Sequence, residues 1–548
     1  MARILVVDAL ARGSGARKAT LDVVGAGPRL VIGILESRGV RADLIPLEEV
    51  LSDTWMLGSY DVLMVSGMSS DKPGMSRLAR LWRRLGGGPL IAGGPVSAEY
   101  DRLLGYGYSL VVYGEGERQL DFLATHLARA RLPEAEELLK IRGLAFRAGG
   151  STVFTGHPGF LERRELNSYR SSADSVKGYP NYWAARVYVE VVRGCSNFYR
   201  PTITLADGRR CVDCGLCREG PLAARLSCPV NIPAGCGYCS VPALYGPARS
   251  RDRDLIVDEV RRLVRLGVSR VVLSAPDILD YGRDLLVEPE PLTDPRSPPA
   301  NLEALEELFE ALRSRVPEIE SGEVVVTLEN IKANLVTEDV ARLLGRYFAG
   351  TPVHIGVEVG DPGMLKALGR PVELEEAERA VQLLRRHGLR PYVYFIHGLP
   401  GQTPESAERT ARYIARLGDL GVEKVTIYRF KPLPGSAFEG MPPGRPAALD
   451  EGSRMIVEAA RRVNIEAKRR MVGLRLRALV AGRYKGRALA YPVLHGPVVL
   501  LEEAAPERLK GMLVEVEVSG VVDDRMVRGR VVRVLGRARS GPASRGSV

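Results

Sequence analysis

The sequence predicts an α/β protein in three parts: a doubly wound N-terminal domain, a (β/α)6 partial barrel and a small C-terminal β-barrel. Three observations carry this. Short apolar runs alternate with helical segments over residues 1–125, and do so again over 187–468. After residue 472 the pattern changes to a two-residue alternation. The chain has 548 residues, room for roughly three or four domains, and its 45% apolar content supplies ordinary cores.

In the first part (1–135), "RILVVD" (3–8), "DVLMVSG" (61–67), "PLIAGG" (89–94) and "SLVVYG" (109–114) read as buried parallel strands. Such folds bind ligands beyond the C-terminal ends of their strands. The turns at those ends are "SGMSS" (66–70), "GGPVS" (93–97) and "YGEGE" (113–117), whose small residues let a backbone approach a flat or phosphorylated ligand. Residues 136–186 read as a linker with a small strand pair. The second series (187–468) offers strands at 187–194, 270–275, 323–329, 353–359, 391–398 and 424–430, with helices at 254–266, 302–314, 373–387 and 404–417. Six β/α units predict a barrel, complete or partial. A Pro-rich loop, 288–301, is inserted between two of them. Residues 472–536, with "VEVEVSGVV" and "VRGRVVRVL", predict a small antiparallel barrel. The tail, 537–548, is expected to be disordered.

No run of about 18 uncharged apolar residues occurs, so no membrane span is expected. The N-terminal apolar run is too short for a signal peptide and reads as a first strand. The expectation is a soluble, cytoplasmic protein. Net charge is +11, and it is unevenly placed: residues 451–548 carry 20 Lys and Arg against 10 Asp and Glu, the rest 57 against 56. The surplus predicts an anionic partner for the C-terminal part, or else a solvated Arg-rich surface. Abundant Arg, only three Gln and Pro-rich loops are thermophile-like habits.

All seven cysteines lie between Cys195 and Cys239. In a reducing cytosol such a cluster reads as metal ligands rather than disulfides. Cys211, Cys214, Cys217 and Cys228 form C-x2-C-x2-C-x10-C-P, enough for a 4Fe–4S cluster or a zinc site. They are framed by Cys195 in "VVRGCS" and by Cys236 and Cys239 in "GCGYCS". Seven thiolates divide naturally into four plus three, and three leave one iron of a cubane open to a substrate. Spacing alone also allows Cys195 to pair with the inner four.

"VEVVRGC…GCGYCS" resembles the C-x3-C-x2-C signature of radical S-adenosylmethionine (SAM) enzymes, with 40 residues in place of three in the first gap. The inserted "RCVDCGLC…SCPVNIP" resembles ferredoxin-like cluster segments, such as that of glutamate synthase small subunits. "HIGVEVGDPGMLKALGRP" (354–371) and "YFIHGLPGQTPES" (394–406) resemble later strands of radical SAM enzymes related to methylthiotransferases. The resemblance implies a radical SAM 4Fe–4S cluster on Cys195, Cys236 and Cys239, and an auxiliary cluster on the inner four. It implies SAM binding by Tyr238, Glu358, Gly398, Pro400 and Gly401. SAM would chelate the open iron, and one electron would release a 5′-deoxyadenosyl radical that abstracts hydrogen from carbon. Where the family carries an acidic "GGE"-type stretch, this chain has "LSAPDILDYG" (273–282).

"LIAGGPVSAEYDRLLGYGYSLVVYGEGERQL" (90–120) resembles the cobalamin-binding domain that precedes many radical SAM domains. By that resemblance Ser66, Gly67, Gly93, Gly94, Pro95, Gly114, Glu115 and Gly116 would contact cobalamin. Val96 stands where His is often found, and no D-x-H-x-x-G motif occurs, so cobalt would lack a His lower ligand. The alternative is a domain that has lost the cofactor and only shields the SAM site. Residues 476–535 resemble the TRAM domain of tRNA-modifying enzymes. Arg475, Arg477, Arg483, Lys485 and Arg487 would meet phosphates, and Tyr484 would stack on a base. A structural cap with a basic face is the alternative.

The resulting expectation is a radical SAM enzyme using cobalamin to methylate carbon, on RNA, with an electron donor such as ferredoxin. A methylthiotransferase-like RNA-modifying enzyme is the second reading. Against it, the N-terminal domain has no cysteine, where methylthiotransferases place three cluster ligands. A non-catalytic iron–sulfur RNA-binding protein is the third.

Overall fold

The computed structural model describes residues 2–15, 23–503 and 506–538. Two compact units result, Met1–Val189 with Asp254–Leu266, and Glu190–Arg253 with Gly267–Val548.

The first unit is built on a seven-stranded sheet of β1 (Ile4–Asp8), β2 (Ala42–Pro46), β3 (Val62–Ser66), β4 (Leu90–Gly93), β5 (Leu110–Val112), β6 (Leu144–Ala148) and β7 (Ser151–Phe154), in the order β2-β1-β3-β4-β5-β6-β7. The first five strands run parallel and the last two antiparallel. Every residue of β1 and β3 is buried, as expected of strands covered on both faces. Among the covering helices are α1 (Ala26–Ser37), α2 (Lys72–Arg84) and α3 (Glu117–Leu127). On α2, Met75, Leu78, Ala79 and Trp82 form the inward stripe at helical spacing.

Residues 136–186 hold the expected strand pair, and they pack within the first unit where a free linker was expected. The β6–β7 hairpin extends the sheet, the Tyr179 hydroxyl donates to the buried Asp8 at 2.8 Å, and Ser172 N–H donates to Arg29 carbonyl at 3.0 Å. Leu161, Leu166 and Val176 are buried one by one along an irregular path, which leaves no periodicity to read.

In the second unit β9 (Arg270–Ser274) pairs parallel with β10 (Val325–Leu328), while β11 (Asn330–Ile331), β12 (Pro352–Glu358), β13 (Arg390–His397) and β14 (Lys424–Arg429) form a parallel sheet. The six strands expected of a partial barrel are all found: β8 (Arg186–Glu190), nearly all of which belongs to the first unit, and five in the second, with β10 and β11 taken together. β10 and β11 are one strand that changes partner at Glu329, whose carboxylate accepts from Ser274 Oγ (2.6 Å) and Ala275 N–H (3.1 Å). The expected helices are found as Arg253–Arg265, which falls almost wholly in the first unit, and in the second as α4 (Leu302–Arg315), α5 (Leu374–Arg386) and α6 (Pro404–Asp419), the last capped by Thr403, which accepts from Ser406 N–H at 3.2 Å.

The small barrel closes in the order β15-β16-β17-β19-β18, from β15 (Arg475–Tyr484), β16 (Arg487–Pro492), β17 (Val498–Leu501), β18 (Met512–Val521) and β19 (Met526–Arg537). Val514, Val516 and Val518 point inward and Glu515 and Glu517 outward, the period of a strand. The expectation of an all-antiparallel barrel is corrected at one seam: β17 and β19 run parallel. The tail begins later than expected, since Arg537 still belongs to β19; from 539 onward it lies outside the described residues.

Candidate active site

Three of the seven thiols come together. Cys236 is buried, Cys195 and Cys239 partly so, and each of Cys195 and Cys239 lies within electrostatic reach of the other two. Burial pushes the Cys239 thiol up to about 12, with Cys236 adding to it, and pushes Cys195 up as well. Metal coordination would displace those protons. Among the described residues no three His, Cys, Asp or Glu side chains are close enough to grip a single ion. A cubane spreads its ligands over separate corners, which suits thiols that stand apart.

The 40-residue gap folds back on itself. Asn197 Nδ2 donates to Cys236 Sγ at 3.2 Å, and Gly235 N–H donates to Tyr199 carbonyl at 2.8 Å. The buried Arg200 guanidinium donates to the carbonyls of Ile232 (2.8 Å), Arg225 (2.9 Å), Phe198 (3.2 Å) and Leu226 (3.4 Å). Gly194 leads into Cys195 with φ +79°, and a Cβ there would stand 2.1 Å from Pro247 carbonyl oxygen. Only glycine fits that turn.

The stretch "LSAPDILDYG" supports this corner. Lys332 Nζ donates to Asp280 (2.8 Å), Asp277 (3.0 Å) and Ser196 Oγ (2.8 Å), and Asp280 accepts from Ser196 N–H at 3.2 Å. All four side chains are buried, together with Arg283, which bonds Asp280 at 2.5 Å. Burial pushes the Asp277 carboxyl up; at Asp280, Lys332 and Arg283 outweigh burial and hold the carboxyl down. The acidic residues therefore anchor the backbone beside Cys195.

The barrel interior lies behind the thiols in layers. Register places His354, Tyr392 and Lys424 in one row and Gly356, Tyr394 and Thr426 in the next; beyond them Ile396 pairs with Tyr428, while a bulge sets Glu358 opposite Phe395. Val353, Ile355, Val357, Val393 and Phe395, on the opposite face, are fully buried. Glu358 is displaced by a bulge and held at φ +78°, a conformation that non-glycine residues rarely adopt. Arg370 fills the space above Gly356, donating to the Gly356 carbonyl and to Cys236 Sγ at 3.8 Å, with Glu358 at 3.9 Å. Arg370 Nε and the Tyr238 hydroxyl are buried without hydrogen-bond partners. Tyr238 stands beside Cys236 and Glu358, and burial pushes its hydroxyl far up. Gly398 has φ +71° with the Gly444 backbone 2.6 Å from a Cβ added there; Pro400 and Gly401 make the turn closed by Gln402 N–H to Leu399 carbonyl at 3.0 Å. At the other end of the lumen, His495 from the small barrel packs its ring on Tyr392 (5.6 Å) and His354 (6.1 Å).

The inner cysteines lie on the surface of the same unit. Cys214 is exposed, and Cys211, Cys217 and Cys228 are half-buried. Cys211 Sγ accepts from Asp213 N–H at 3.4 Å, the arrangement that Cys195 makes with Asn197 N–H, also at 3.4 Å. Arg218, next to Cys217, lies over the Tyr199 ring at 4.7 Å.

In the first unit the three expected turns are tied together. Gly67 N–H donates to Gly93 carbonyl (3.2 Å), Val96 N–H to Gly67 carbonyl (3.1 Å) and Gly114 N–H to Ser97 Oγ (3.3 Å). Ser66 ends β3, Gly94 lies beside it, and Pro95 opens a short helical turn. Gly116 caps α3. Glu115 is buried and accepts from Leu161 N–H at 2.7 Å, so its carboxylate holds the chain at 161. Of the C-terminal basic set, Arg475, Arg477, Arg483, Tyr484, Lys485 and Arg487 are all exposed. Asn197, Lys332 and Arg370 were not picked out from sequence, although the asparagine two residues after Cys195 was a local signal.

Residues 228–414 match the Radical SAM superfamily. The uncharacterized protein MK0932 of Methanopyrus kandleri is 45% identical over 543 residues, spanning 97% of this chain and 96% of that protein. The uncharacterized protein MJ1620 of Methanocaldococcus jannaschii is 35% identical over 512 residues, 92% of this chain and 94% of that protein. Among solved structures, TsrM, a radical SAM methyltransferase from Kitasatospora setae with cobalamin and a 4Fe–4S cluster bound, shares the fold with a TM-score of 0.56. It is 18% identical and covers 80% of this chain and 77% of its own. The matched domain makes the protein an enzyme of the radical SAM class. The chain belongs to the same family as MK0932 and MJ1620. Among the described residues no helix is long and apolar enough to cross a membrane.

Proposed function

We propose that this radical SAM enzyme methylates a carbon atom of RNA with the help of cobalamin. The carrying observation is the convergence of Cys195, Cys236 and Cys239 beneath Arg370, with the long insertion stapled shut between them. Cys195, Cys236 and Cys239 would hold a 4Fe–4S cluster, which would supply the electron for reductive cleavage of SAM. Around it, Asn197 and Arg370 donate to Cys236 sulfur and stabilise the thiolate that binds iron. The unpartnered Arg370 Nε and Tyr238 hydroxyl are the groups left to receive a polar ligand, and Glu358, Gly398, Pro400 and Gly401 complete that wall. Cys211, Cys214, Cys217 and Cys228 would hold a second 4Fe–4S cluster fed by a donor such as ferredoxin, with Tyr199 and Arg218 between it and the first.

Cobalamin, when bound, supplies the methyl group. The tied loops at 66–67, 93–97 and 114–116 offer it a platform, and the exposed Met68 is an apolar neighbour. The exposed basic residues of β15, β16 and their turn would meet RNA phosphates. Similarity to TsrM, described as a cobalamin-bound methyltransferase, supports the methyl-transfer reading at the level of fold.

Anaerobic reconstitution with iron, sulfide, SAM and dithionite tests the core of this. We expect 5′-deoxyadenosine from the wild type and none from Cys236→Ser; equal yields would overturn the site. After cobalamin supplementation, about one cobalt per chain is expected, and its absence would favour sulfur insertion over methylation. Mass spectrometry of tRNA and rRNA from a deletion strain should show one methyl group lost.

A further inference from the structure

The rows lining the barrel interior end in an aromatic step. Tyr428, on β14, lies nearly parallel to Tyr394 at 5.9 Å and 11° between ring planes. Tyr394 in turn is pinned, its hydroxyl bonded to His354 Nδ1 at 3.0 Å, with the His354 ring stacked on Tyr392 at 8°. The lower rings are thereby fixed from the floor upward, whereas Tyr428 is 55% exposed. It is a large ring held in position by its neighbour and left open to solvent. Its place is also defined chemically: the Glu358 carboxylate, which lies beside Tyr238 and Arg370, is within electrostatic reach of it. One row down the same strand, the Thr426 hydroxyl is buried without a hydrogen-bond partner. An open aromatic face with an unsatisfied hydroxyl one row below it on the same strand is what a flat ring with polar edges needs.

We propose that Tyr428, backed by Tyr394, is the platform on which the substrate's nucleobase stacks, with Thr426 reading the base edge. This rests on the RNA reading for the identity of the ring, and it names the part of the RNA that enters the barrel. Every base has a π-face, so the platform supplies position, and the Thr426 hydroxyl supplies a directional contact. A ring seated on Tyr428 lies on the side of Glu358, whose carboxylate is 3.9 Å from Arg370.

The test uses the full-length reconstituted protein and two fluorescent probes, 2-aminopurine riboside and a single-stranded RNA carrying one 2-aminopurine, whose emission is quenched on stacking. Wild type and Tyr428→Phe should quench both probes, and Tyr428→Leu should bind the riboside about tenfold more weakly. Yields of 5′-deoxyadenosine without substrate should be equal in all three if the ring serves the base and not SAM. Quenching retained in full by Tyr428→Leu, or absent in the wild type, overturns the platform. Loss of SAM cleavage in Tyr428→Leu also overturns it, since the ring would then serve SAM. If the riboside is quenched in a Tyr428-dependent way but the RNA binds no more tightly than the riboside, the platform stands and the RNA reading fails.

Discussion

Lys332 neutralises two buried carboxylates, Asp277 and Asp280, and reaches Ser196 beside Cys195. Removing the cation leaves Asp277 buried with no cationic partner and Asp280 with Arg283 alone. Lys332→Met should therefore cost about 3–5 kcal/mol, read as a lower denaturant midpoint. It should also lower iron content, because Asp280 no longer fixes the backbone next to Cys195. A second lysine has the opposite balance. Lys468 is buried on the helix Glu451–Arg469 and faces Lys424, with Asp523, Asp524 and Glu423 also within reach. Burial, helped by Lys424, pulls its pKa from 10.5 down to about 8. Between about pH 8 and 10.5 the unfolded chain holds the extra proton, so stability rises with pH across that window. Lys468→Met should raise the denaturant midpoint at pH 7 and flatten the rise, and a pH series of urea titrations checks both. Glu358, at φ +78°, keeps a side chain where glycine would be relaxed. Glu358→Gly should leave the melting temperature level or higher while cutting 5′-deoxyadenosine formation at least tenfold, measured side by side.

Among the elements, the insertion between Cys195 and Cys236 depends on Arg200, whose guanidinium serves carbonyls at 198, 225, 226 and 232. Arg200→Met leaves those oxygens unpaired, and we expect the three-thiol site to lose most of its iron, seen in metal content and charge-transfer absorbance. The β15–β16 hairpin turns on Lys485 and Gly486, both at positive φ (48° and 80°). Lys485→Asn keeps a residue that tolerates this conformation. Its melting temperature should hold, while the slope of log affinity for RNA against log salt falls by about one. Most elements were legible because their burial is simple: β1, β3, β12 and β13 are runs whose apolar residues match their faces. The strand Ala42–Pro46 was not, being short, half-exposed and ended by proline. The parallel seam between β17 and β19 was not either, since strand alternation says which face is buried and nothing about a partner's direction.

At the level of the whole chain, the class of chemistry was legible in seven cysteines. Spacing separated three from four, and the fold brings that trio together. The supporting residues were not legible, because they meet across the sequence. Arg370 lies 134 residues from Cys236, and Lys332 lies 136 from Ser196. A buried Lys among two Asp carries no periodic signature; only the topology of parallel strands makes them neighbours. His495 has a further consequence. The small barrel lends this ring to the floor of the larger one, and Arg390 donates to its carbonyl at 2.9 Å. The small barrel is therefore also a plug. Grafting a foreign recognition domain after residue 470 would leave Tyr392 and His354 bare to water, unless the graft carries the 492–497 loop with it.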